Sequence, residues 1–366
     1  MKKGQQATNG GGANGAESAA TADLWLTLEE IQDLSQRAAE ACGACCDNAL
    51  SLAMSIAAAE AEGLTNVGLA HLADYCEGLR VGRIDGNVRP TVTKPTPMVF
   101  QVDVHSGLAH PGFDIVYEDL VAAAKQFGVA IFSLRNSYTC GALGYFVSRL
   151  ASAGLVAQAT TNAGPPAVAA AGGDKPVFGT NPLAFAVPGS DGPALIIDQS
   201  CSATALVNIR AAGERGERLP DGWAVDAQGQ PTTDPKAALT GALLAFGGYK
   251  GSNIALLVEM LSAGLTGANW SCDAPSFVAG NRCPDVGLFI IAINPAVVFG
   301  DGFEARISAY MDRFTHDYGG RVPGAKRAEA IRQSEQGVRV PAELIARLNG
   351  YISRSISDGY GIGRRQ

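Results

Sequence analysis

Apolar residues recur at helical spacing near the start of the chain. Ile31 and Leu34 begin such a series, which predicts one long helix over residues 27–61. Thr27 and Glu30 have the spacing of a capping box, in which each side chain satisfies a free backbone N–H at the start of a helix. A second helix is predicted over residues 67–79.

The middle of the chain has a different pattern. From residue 91, short β-branched or apolar runs alternate with glycine and proline, which predicts strands with a helix at 117–127 among them. The predicted strands are TVTKPTPMVFQVDV, GVAIFSLRN, GLVAQATTN, PLAFAVP, PALIIDQS and, at 287–295, GLFIIAINP.

Segments 236–246 and 252–267 are predicted to be helical, as is the chain beyond 303 around a loop at 318–324. This order predicts an α/β fold in which helices from both chain ends come together. The predicted division is a helical domain of residues 23–92 and 300–366, around a β-rich domain of residues 93–299.

Composition narrows the class of protein. Residues 1–22 are mostly glycine, alanine, asparagine and serine and are predicted to be a disordered tail. The rest can bury a sizeable core, since the chain is 47% hydrophobic and 17% charged, and it has no long uncharged run that predicts a membrane span. A net charge of −7 disfavours nucleic acid as a partner and leaves a small-molecule substrate.

The cysteines predict no metal centre. There are eight cysteines and no secretory segment, which indicates a reduced, cytoplasmic protein. The stretch CGACC, residues 42–46, lies in a predicted helix without a partner pair at zinc spacing, which favours small buried residues over a metal or redox cluster.

Four loops rich in glycine and small polar residues each follow a predicted strand. They are TTNAGPPAVAAAGG (160–173), FGTNP (178–182), GGYKGSN (247–253) and GGRVPG (319–324). Glycine lets a backbone approach a ligand closely, and exposed N–H groups can receive phosphate oxygens. One such loop is more often an ordinary turn, but four of them, with Lys250 and Arg321, indicate an anionic ligand. No GxGxxG follows an early strand, so a Rossmann-type dinucleotide site is not predicted.

Local patterns leave the catalytic residues open. Asp198 ends the strand ALIID, where it either faces a ligand or caps a helix that begins near Ser202. The stretch SLRNSYTCGALGYF, residues 133–146, passes from a strand into a helix of small residues and contains Thr139 and Cys140, but no histidine or carboxylate. Nothing near Cys140 in the sequence would lower its pKa, which argues against a thiolate nucleophile.

Longer segments in the same order resemble the type 2 malate/L-lactate dehydrogenase family, which includes ureidoglycolate dehydrogenase and the Δ1-piperideine-2-carboxylate reductases. The similarity covers residues 24–348. Its most specific segments are GGDKPVFGTNPLAFAVP, LIIDQSCSA, RLPDGWAVDAQGQPTTDP, AFGGYKGSNIALLVEMLSAGLTGA and GGRVPG.

The resemblance implies a non-Rossmann fold. It implies a largely antiparallel central sheet that binds NADPH or NADH, a helical domain built from both chain ends, and a homodimer. The residues that match the family's cofactor loops are Thr160, Asn162, Ala163, Gly179, Thr180, Asn181, Asp198, Ser200, Lys250, Gly251, Pro323 and Gly324.

The resemblance also reveals a departure at the catalytic positions. The family's GxxSHG corresponds here to GLTNVG, residues 63–68, so Asn66 and Val67 replace a serine and the acid/base histidine. The family's NSxHFGAxGY corresponds to NSYTCGALGY, which puts Thr139 at a second histidine position. His71 lies one helical turn after Val67 and is a candidate proton donor.

Loss of both histidines favours one chemistry over another. Reducing a ketone needs an acid to protonate the oxygen, whereas an iminium carbon is already activated by its protonated nitrogen. Asp198 would stabilise that cation. We therefore expect an NAD(P)H-dependent reductase of the C=N bond in a cyclic imine or 2-imino acid, with Asp198, His71, Thr139 and Asn66 as the catalytic candidates.

Two alternatives stay open. One is a 2-oxo acid/2-hydroxy acid oxidoreductase that uses His71 or water as its acid. The other is a family scaffold turned to non-redox catalysis or binding.

Overall fold

A computed structural model describes residues 23–357. The predicted tail at 1–22 lies outside the described residues, as does the stretch 358–366.

The strands are β1 (Leu24–Leu26), β2 (Thr91–Thr96), β3 (Val99–Gly107), β4 (Val129–Ser137), β5 (Val156–Thr161), β6 (Val168–Ala169), β7 (Pro176–Phe178), β8 (Leu183–Gly189), β9 (Gly192–Gln199), β10 (Ala224–Val225), β11 (Pro231–Thr232), β12 (Ala242–Leu243), β13 (Val286–Ile293) and β14 (Val338–Val340). The helices are α1 (Leu28–Ala41), α2 (Cys46–Ala61), α3 (Leu69–Arg80), α4 (Ala109–Asp114), α5 (Tyr117–Phe127), α6 (Gly144–Ser152), α7 (Leu206–Arg215), α8 (Pro235–Thr240), α9 (Tyr249–Glu259), α10 (Pro295–Val298), α11 (Phe303–His316), α12 (Ala325–Ser334) and α13 (Ala342–Ser357).

A seven-stranded sheet occupies the centre of the described chain, in the order β2-β3-β4-β13-β5-β8-β9. β3 and β4 are parallel, and the other neighbouring pairs in this sheet are antiparallel. The prediction of a mixed α/β fold with a largely antiparallel central sheet is therefore confirmed. β13 lies between two strands and is almost wholly buried, which explains why its sequence is a continuous apolar run.

Helices α4, α5 and α6 cover one face of this sheet. Phe113 contacts Phe132 and Phe146 edge to face, with ring centroids 5.5 Å and 5.1 Å apart. All three rings are fully buried. Each contributes about 1.5–3 kcal/mol by leaving water. This packing fixes α4 and α6 against β4.

The two ends of the described chain meet. β1 pairs with β14 in antiparallel register, with Leu24 opposite Val340 and Leu26 opposite Val338. Helices α1, α2, α3 and α13 share one hydrophobic core beside this pair. The predicted domain boundaries stay a prediction.

A five-stranded sheet, in the order β11-β10-β12-β6-β7, forms a smaller unit in the described chain. It shares a core with α7, α8 and α9. None of the helices within residues 23–357 is both long enough and apolar enough to cross a membrane.

The prediction of one helix over residues 27–61 is wrong. α1 ends at Ala41 and α2 begins at Cys46, because Gly43 adopts a φ of 111°, a conformation that favours glycine. CGACC is therefore the turn between two helices. The predicted capping box is confirmed: Thr27 Oγ1 accepts from the N–H of Glu30 at 3.1 Å, and Glu30 Oε2 accepts from the N–H of Thr27 at 2.8 Å.

The prediction of a helix over residues 236–246 is also wrong. α8 ends at Thr240, and the chain turns into β12. A Cβ on Gly241 would lie 2.0 Å from the carbonyl oxygen of Val225, so glycine is what lets β12 approach β10. The helix predicted at 252–267 is α9 followed by a π-helical turn, Met260–Leu265, that packs on Thr160 through a 2.9 Å hydrogen bond from Ser262.

Candidate active site

A cleft of about 360 Å³ lies at one edge of the central sheet. The carboxyl ends of β4, β5 and β9 meet there, because these three strands run in the same direction. Segments that follow those ends line the cleft, together with α3 and the turn before it. A smaller groove of about 200 Å³ on the polar face of β2, β3 and β4 contains none of the predicted site residues.

Asp198 lies near the end of β9 and places a carboxylate in the lining of this cleft. Its Oδ2 accepts from the backbone N–H of Gly144 at 2.9 Å and from Nη1 of Arg327 at 3.2 Å. Gly144 is the first residue of α6, so Asp198 satisfies a free N–H at that helix start. Among the described residues, no group donates to Oδ1, which leaves this oxygen for a ligand.

The two interpretations of Asp198 can now be separated. The expected helix begins at Leu206, not near Ser202, so Asp198 does not cap it. Instead it caps a helix distant in sequence and lines the cleft at the same time.

Glu62 and Arg327 complete a charged cluster with Asp198. Nη1 of Arg327 is 3.4 Å from Oε2 of Glu62, and the side chains of Glu62, Asp198 and Arg327 are 9%, 12% and 16% exposed. Burial raises the pKa of Glu62, an effect that the Arg327 guanidinium opposes and the Asp198 carboxylate reinforces. Two carboxylates thus share one guanidinium, which makes this side of the cleft suitable for a cation.

His71, on α3, also lines the cleft and belongs to a separate hydrogen-bond network. Its Nδ1 is 3.1 Å from Oδ2 of Asp74, and its Nε2 is 3.3 Å from Oγ1 of Thr139. The ring meets Tyr75 edge to face, with centroids 4.8 Å apart. The histidine is therefore held in one orientation by groups on both nitrogens.

Thr139 connects His71 to a buried tyrosine. Its Oγ1 is 2.8 Å from the hydroxyl of Tyr75, and burial raises the pKa of Tyr75 well above its usual value. When His71 is neutral, Tyr75 can donate to Thr139, and Thr139 to Nε2. When both ring nitrogens of His71 carry protons, Thr139 donates to Tyr75, which turns to the carbonyl oxygen of Thr139 at 3.4 Å. The chain can accommodate either charge on His71.

Cys140 lines the cleft next to Thr139, and His110 is buried outside that lining. Burial raises the pKa of the Cys140 thiol to about 12, so it is not a thiolate at neutral pH. Burial lowers the pKa of His110 to about 4, and its Nδ1 is buried without a hydrogen-bond partner. Both residues support the cleft wall in their neutral forms.

The predicted cofactor residues fall into three groups. Those that line the cleft are Asn162, Ala163, Thr180, Asp198 and Ser200.

A second group is buried behind the lining. Asn181 donates to the carbonyl oxygen of Ala255 at 3.1 Å and to Oε2 of Glu259 at 2.6 Å. Thr160 is held by Ser262, as described above. A Cβ on Gly179 would lie 1.6 Å from the carbonyl oxygen of Ala163, so this glycine lets two site loops lie against each other.

The third group lies outside the cleft lining. Lys250 is exposed in the first turn of α9, and the chain just before it is joined to the site by a 2.9 Å bond from the N–H of Phe246 to the carbonyl oxygen of Cys201. Gly251 is buried in the same turn. Pro323 and Gly324 line a neighbouring groove of about 330 Å³ along β9.

The last catalytic candidate, Asn66, lies on a short 3₁₀ turn, Thr65–Val67. It is exposed and lies outside the cleft lining, whereas Val67 is part of that lining. A catalytic role for Asn66 stays a prediction, and the neighbouring Val67 gives the cleft an apolar side chain at this turn.

Comparison with known proteins defines the class. The first relative is the (2R)-3-sulfolactate dehydrogenase (NADP(+)) of Chromohalobacter salexigens, 36% identical over 331 residues that cover 90% of this chain and 98% of that protein. The Δ1-pyrroline-2-carboxylate reductase of Ancylobacter novellus is 38% identical over 330 residues, which cover 88% and 96%. The crystal structure of Δ1-piperideine-2-carboxylate reductase from Pseudomonas syringae matches with a TM-score of 0.85 and 33% identity, over 90% of this chain and 99% of that one.

These relatives are all dehydrogenases or reductases, so the chain is a member of an oxidoreductase family. It belongs to the malate/L-lactate dehydrogenase family, whose model matches residues 26–349. The resemblance identified from the sequence motifs is confirmed.

A first prediction concerns His110 and pH. Its folded-state pKa of about 4 lies below the ordinary value of 6.5, so the unfolded chain binds more protons between these values. The stability it contributes is therefore complete above pH 6.5 and is lost as the pH falls towards 4. We expect this residue to remove up to about 3 kcal/mol from the free energy of unfolding over that range.

Denaturant unfolding at several pH values, in wild type and in His110→Asn, measures this effect. The difference in unfolding free energy between the two proteins should change across this pH range, since the amide does not titrate there. Two curves that stay parallel would contradict the prediction.

Proposed function

We propose that this protein reduces the C=N bond of a small cyclic imine or 2-imino acid, with NADPH or NADH as the hydride donor. The observation that carries the proposal is the state of Asp198. One carboxylate oxygen is fixed by Gly144 and Arg327, the other has no protein donor among the described residues, and Asp198 lines the cleft. A fixed anion with one oxygen available suits a protonated imine nitrogen, which is a cationic N–H donor.

The absence of histidine at two cleft positions supports the same substrate class. Val67 and Thr139 replace the residues with which the family would protonate a carbonyl oxygen. An iminium ion brings its own proton, so the step needs orientation and charge stabilisation more than an acid. The names of several relatives, which are Δ1-pyrroline-2-carboxylate reductases, agree with this chemistry.

The residues present fit a nicotinamide dinucleotide. Gly247 and Gly248 have φ values of 60° and 66°, and a Cβ on either would meet open space, so their backbone groups are accessible beside Lys250. Ala163, Thr180 and Ser200 line the cleft beside Asp198. We propose that the first set binds the phosphates and the second positions the nicotinamide end. The bound dinucleotide supplies the hydride.

The protein's own residues then have distinct tasks. Oδ1 of Asp198 accepts a hydrogen bond from the iminium N–H, while Gly144 and Arg327 keep the carboxylate from turning. Leu64, Val67 and Val286 limit water on the apolar side of the cleft. Hydride addition to the carbon would cancel the iminium charge and give a secondary amine, which then takes up a proton from water and leaves as an ammonium ion.

A second candidate function is reduction of a 2-oxo acid. It is favoured by the hydrogen-bond chain from Asp74 through His71 to Thr139, which could deliver a proton to a carbonyl oxygen. The relative named as a sulfolactate dehydrogenase agrees with this alternative.

The cofactor can be tested by isothermal titration. We expect NADH or NADPH to bind with a dissociation constant below the millimolar range. Lys250→Ala should weaken binding roughly tenfold or more, as expected for loss of a charged hydrogen bond. Lys125→Ala, on α5, serves as the control and should change nothing. No binding of either dinucleotide would favour a non-redox scaffold.

The substrate class can be tested with a cyclic imino acid and pyruvate. We expect kcat/KM to be higher for the imine, and Asp198→Asn to lower it roughly 10- to 100-fold, because a charge-assisted hydrogen bond contributes about 1.5–3 kcal/mol. His71→Ala should have little effect. Asp191→Asn, at the exposed tip between β8 and β9, is the matched control.

The opposite pattern of activities would support the second candidate function, reduction of a 2-oxo acid. A wild type that prefers pyruvate, and whose kcat/KM falls at least about 100-fold in His71→Ala, would identify His71 as the acid.

We also propose a homodimer with its interface on α9 and the π-helical turn that follows. Leu256, Leu257, Met260 and Leu265 are 45–64% exposed on one side of this element, which is unusual for four large apolar residues.

All eight cysteines are free thiols, which supports a cytoplasmic location. We further propose the non-Rossmann classification and the two-domain division.

Light scattering at micromolar concentration should give twice the mass of the chain. Leu257→Glu should shift the mass to that of a monomer, because a carboxylate would be buried in the interface. Leu239→Glu is the control, since Leu239 on α8 is equally exposed, at 45%. A monomeric wild type would refute the proposal.

A further inference from the structure

Phe277 forms part of the cleft wall next to His71. It lies in the irregular segment between the π-helical turn and β13, lines the cleft, and meets the imidazole of His71 edge to face with centroids 6.1 Å apart. Its ring also meets Tyr138, at 6.4 Å. The ring is therefore a large apolar surface in the cleft wall beside His71.

A buried arginine holds this segment. Nη1 of Arg83 donates to the carbonyl oxygen of Phe277 at 2.8 Å, and its Nε and Nη2 donate to the carbonyl oxygen of Gly280 at 3.0 Å and 2.6 Å. Arg83 is only 3% exposed. No carboxylate of the described residues forms an ion pair with it, so its charge is balanced by the carbonyl dipoles of this one segment.

The carbonyl group of Phe277 is held by two side chains. Its carbonyl oxygen also accepts from the hydroxyl of Tyr138 at 2.7 Å, whereas the next residue, Val278, is 56% exposed. Arg83 itself is fixed to the end of α3, since its N–H donates to the carbonyl oxygen of Gly78 at 2.8 Å. The helix that carries His71 thus also sets the position of Phe277.

An irregular segment would ordinarily be free to move away from a bulky substrate. Three charge-assisted hydrogen bonds from a buried guanidinium oppose that movement, because breaking them would leave a charge without partners in the interior. Arg83 therefore holds Phe277 in its place in the cleft wall.

We propose that Phe277 is a specificity-determining residue that limits the size of the ring carried by the substrate, and that Arg83 is the positioning residue that holds it in place. This inference rests on the proposed imine reduction.

The experiment compares three cyclic imino acids of increasing size: a five-membered ring, a six-membered ring and a benzo-fused six-membered ring. In Phe277→Ala, the ratio of kcat/KM for the benzo-fused imine to that for the five-membered imine should rise roughly tenfold or more, the range expected when an apolar pocket gains space for a few carbons. Most of the change should be in KM. Phe277→Leu should give a smaller rise, and Val278→Ala none.

The role of Arg83 is tested by its dependence on Phe277. Arg83→Lys keeps the charge but cannot donate to both carbonyl groups in the same way, so it should raise the ratio in the wild-type background. In the Phe277→Ala background it should add nothing further, because the ring that it positions is gone. A purely structural effect would lower activity on all three imines equally.

Three outcomes overturn the inference. An unchanged size ratio in Phe277→Ala, with activity on the five-membered imine retained, removes Phe277 as the determinant. Equal effects of Arg83→Lys in both backgrounds remove the positioning role. A wild type that reduces none of the three imines overturns the proposed function, and this inference with it.

Discussion

The contact between Asp198 and Arg327 is the interaction on which the site depends. It joins residues 129 positions apart, and its carboxylate also caps α6 through Gly144. Glu62 ties the same guanidinium to the end of α2. One charged cluster therefore fixes the edge of the sheet, a helix start and both helical ends of the chain relative to one another. Since all three side chains are largely buried, removing Arg327 would leave two buried carboxylates without their shared cation.

The cleft separates two kinds of electrostatic surface. On the Asp198 side, two carboxylates share a single positive charge, and the arrangement is rigid because backbone and side-chain donors already occupy one oxygen. On the His71 side, the hydrogen-bond chain to Tyr75 can run in either direction, so it tolerates a change of protonation without moving any heavy atom. The fixed anion on the Asp198 side is therefore the dominant electrostatic feature of the cleft.

Much of the fold and part of the site could be predicted from the sequence, because the patterns that indicate them involve residues close together along the chain. Strand runs such as that of β13 are set by burial on both faces, and the capping box at Thr27 involves residues three positions apart. Asp198 and the loop at 160–173 could be found because they lie at the ends of β9 and β5, whereas the loop at 319–324 follows α11 and not a strand as predicted. The partners of Asp198 could not, since Gly144 is 54 positions away and nothing in its own segment identifies it.

The two wrong helix predictions, over residues 27–61 and 236–246, failed because of backbone geometry at single glycines. The break at Gly43 and the turn at Gly241 interrupt segments whose composition is helical, and each depends on what lies alongside in the fold. Arg83 gave no signal either, because an arginine after a helix is usually solvent-exposed. Its importance arises only when the segment carrying Phe277 lies against it.

The pairing of β1 with β14 has a consequence for how the chain assembles. Leu26 lies opposite Val338, so the two strands that close the helical core are separated by most of the sequence. The core shared by α1, α2 and α3 lacks its α13 contribution until the last residues are available, and contacts between such distant segments are costly in chain entropy to form early. During synthesis, the central sheet and its α4–α6 layer can pack first. The helix that carries His71 then reaches its final environment only when α13 packs against it, so this wall of the cleft is completed after the sheet.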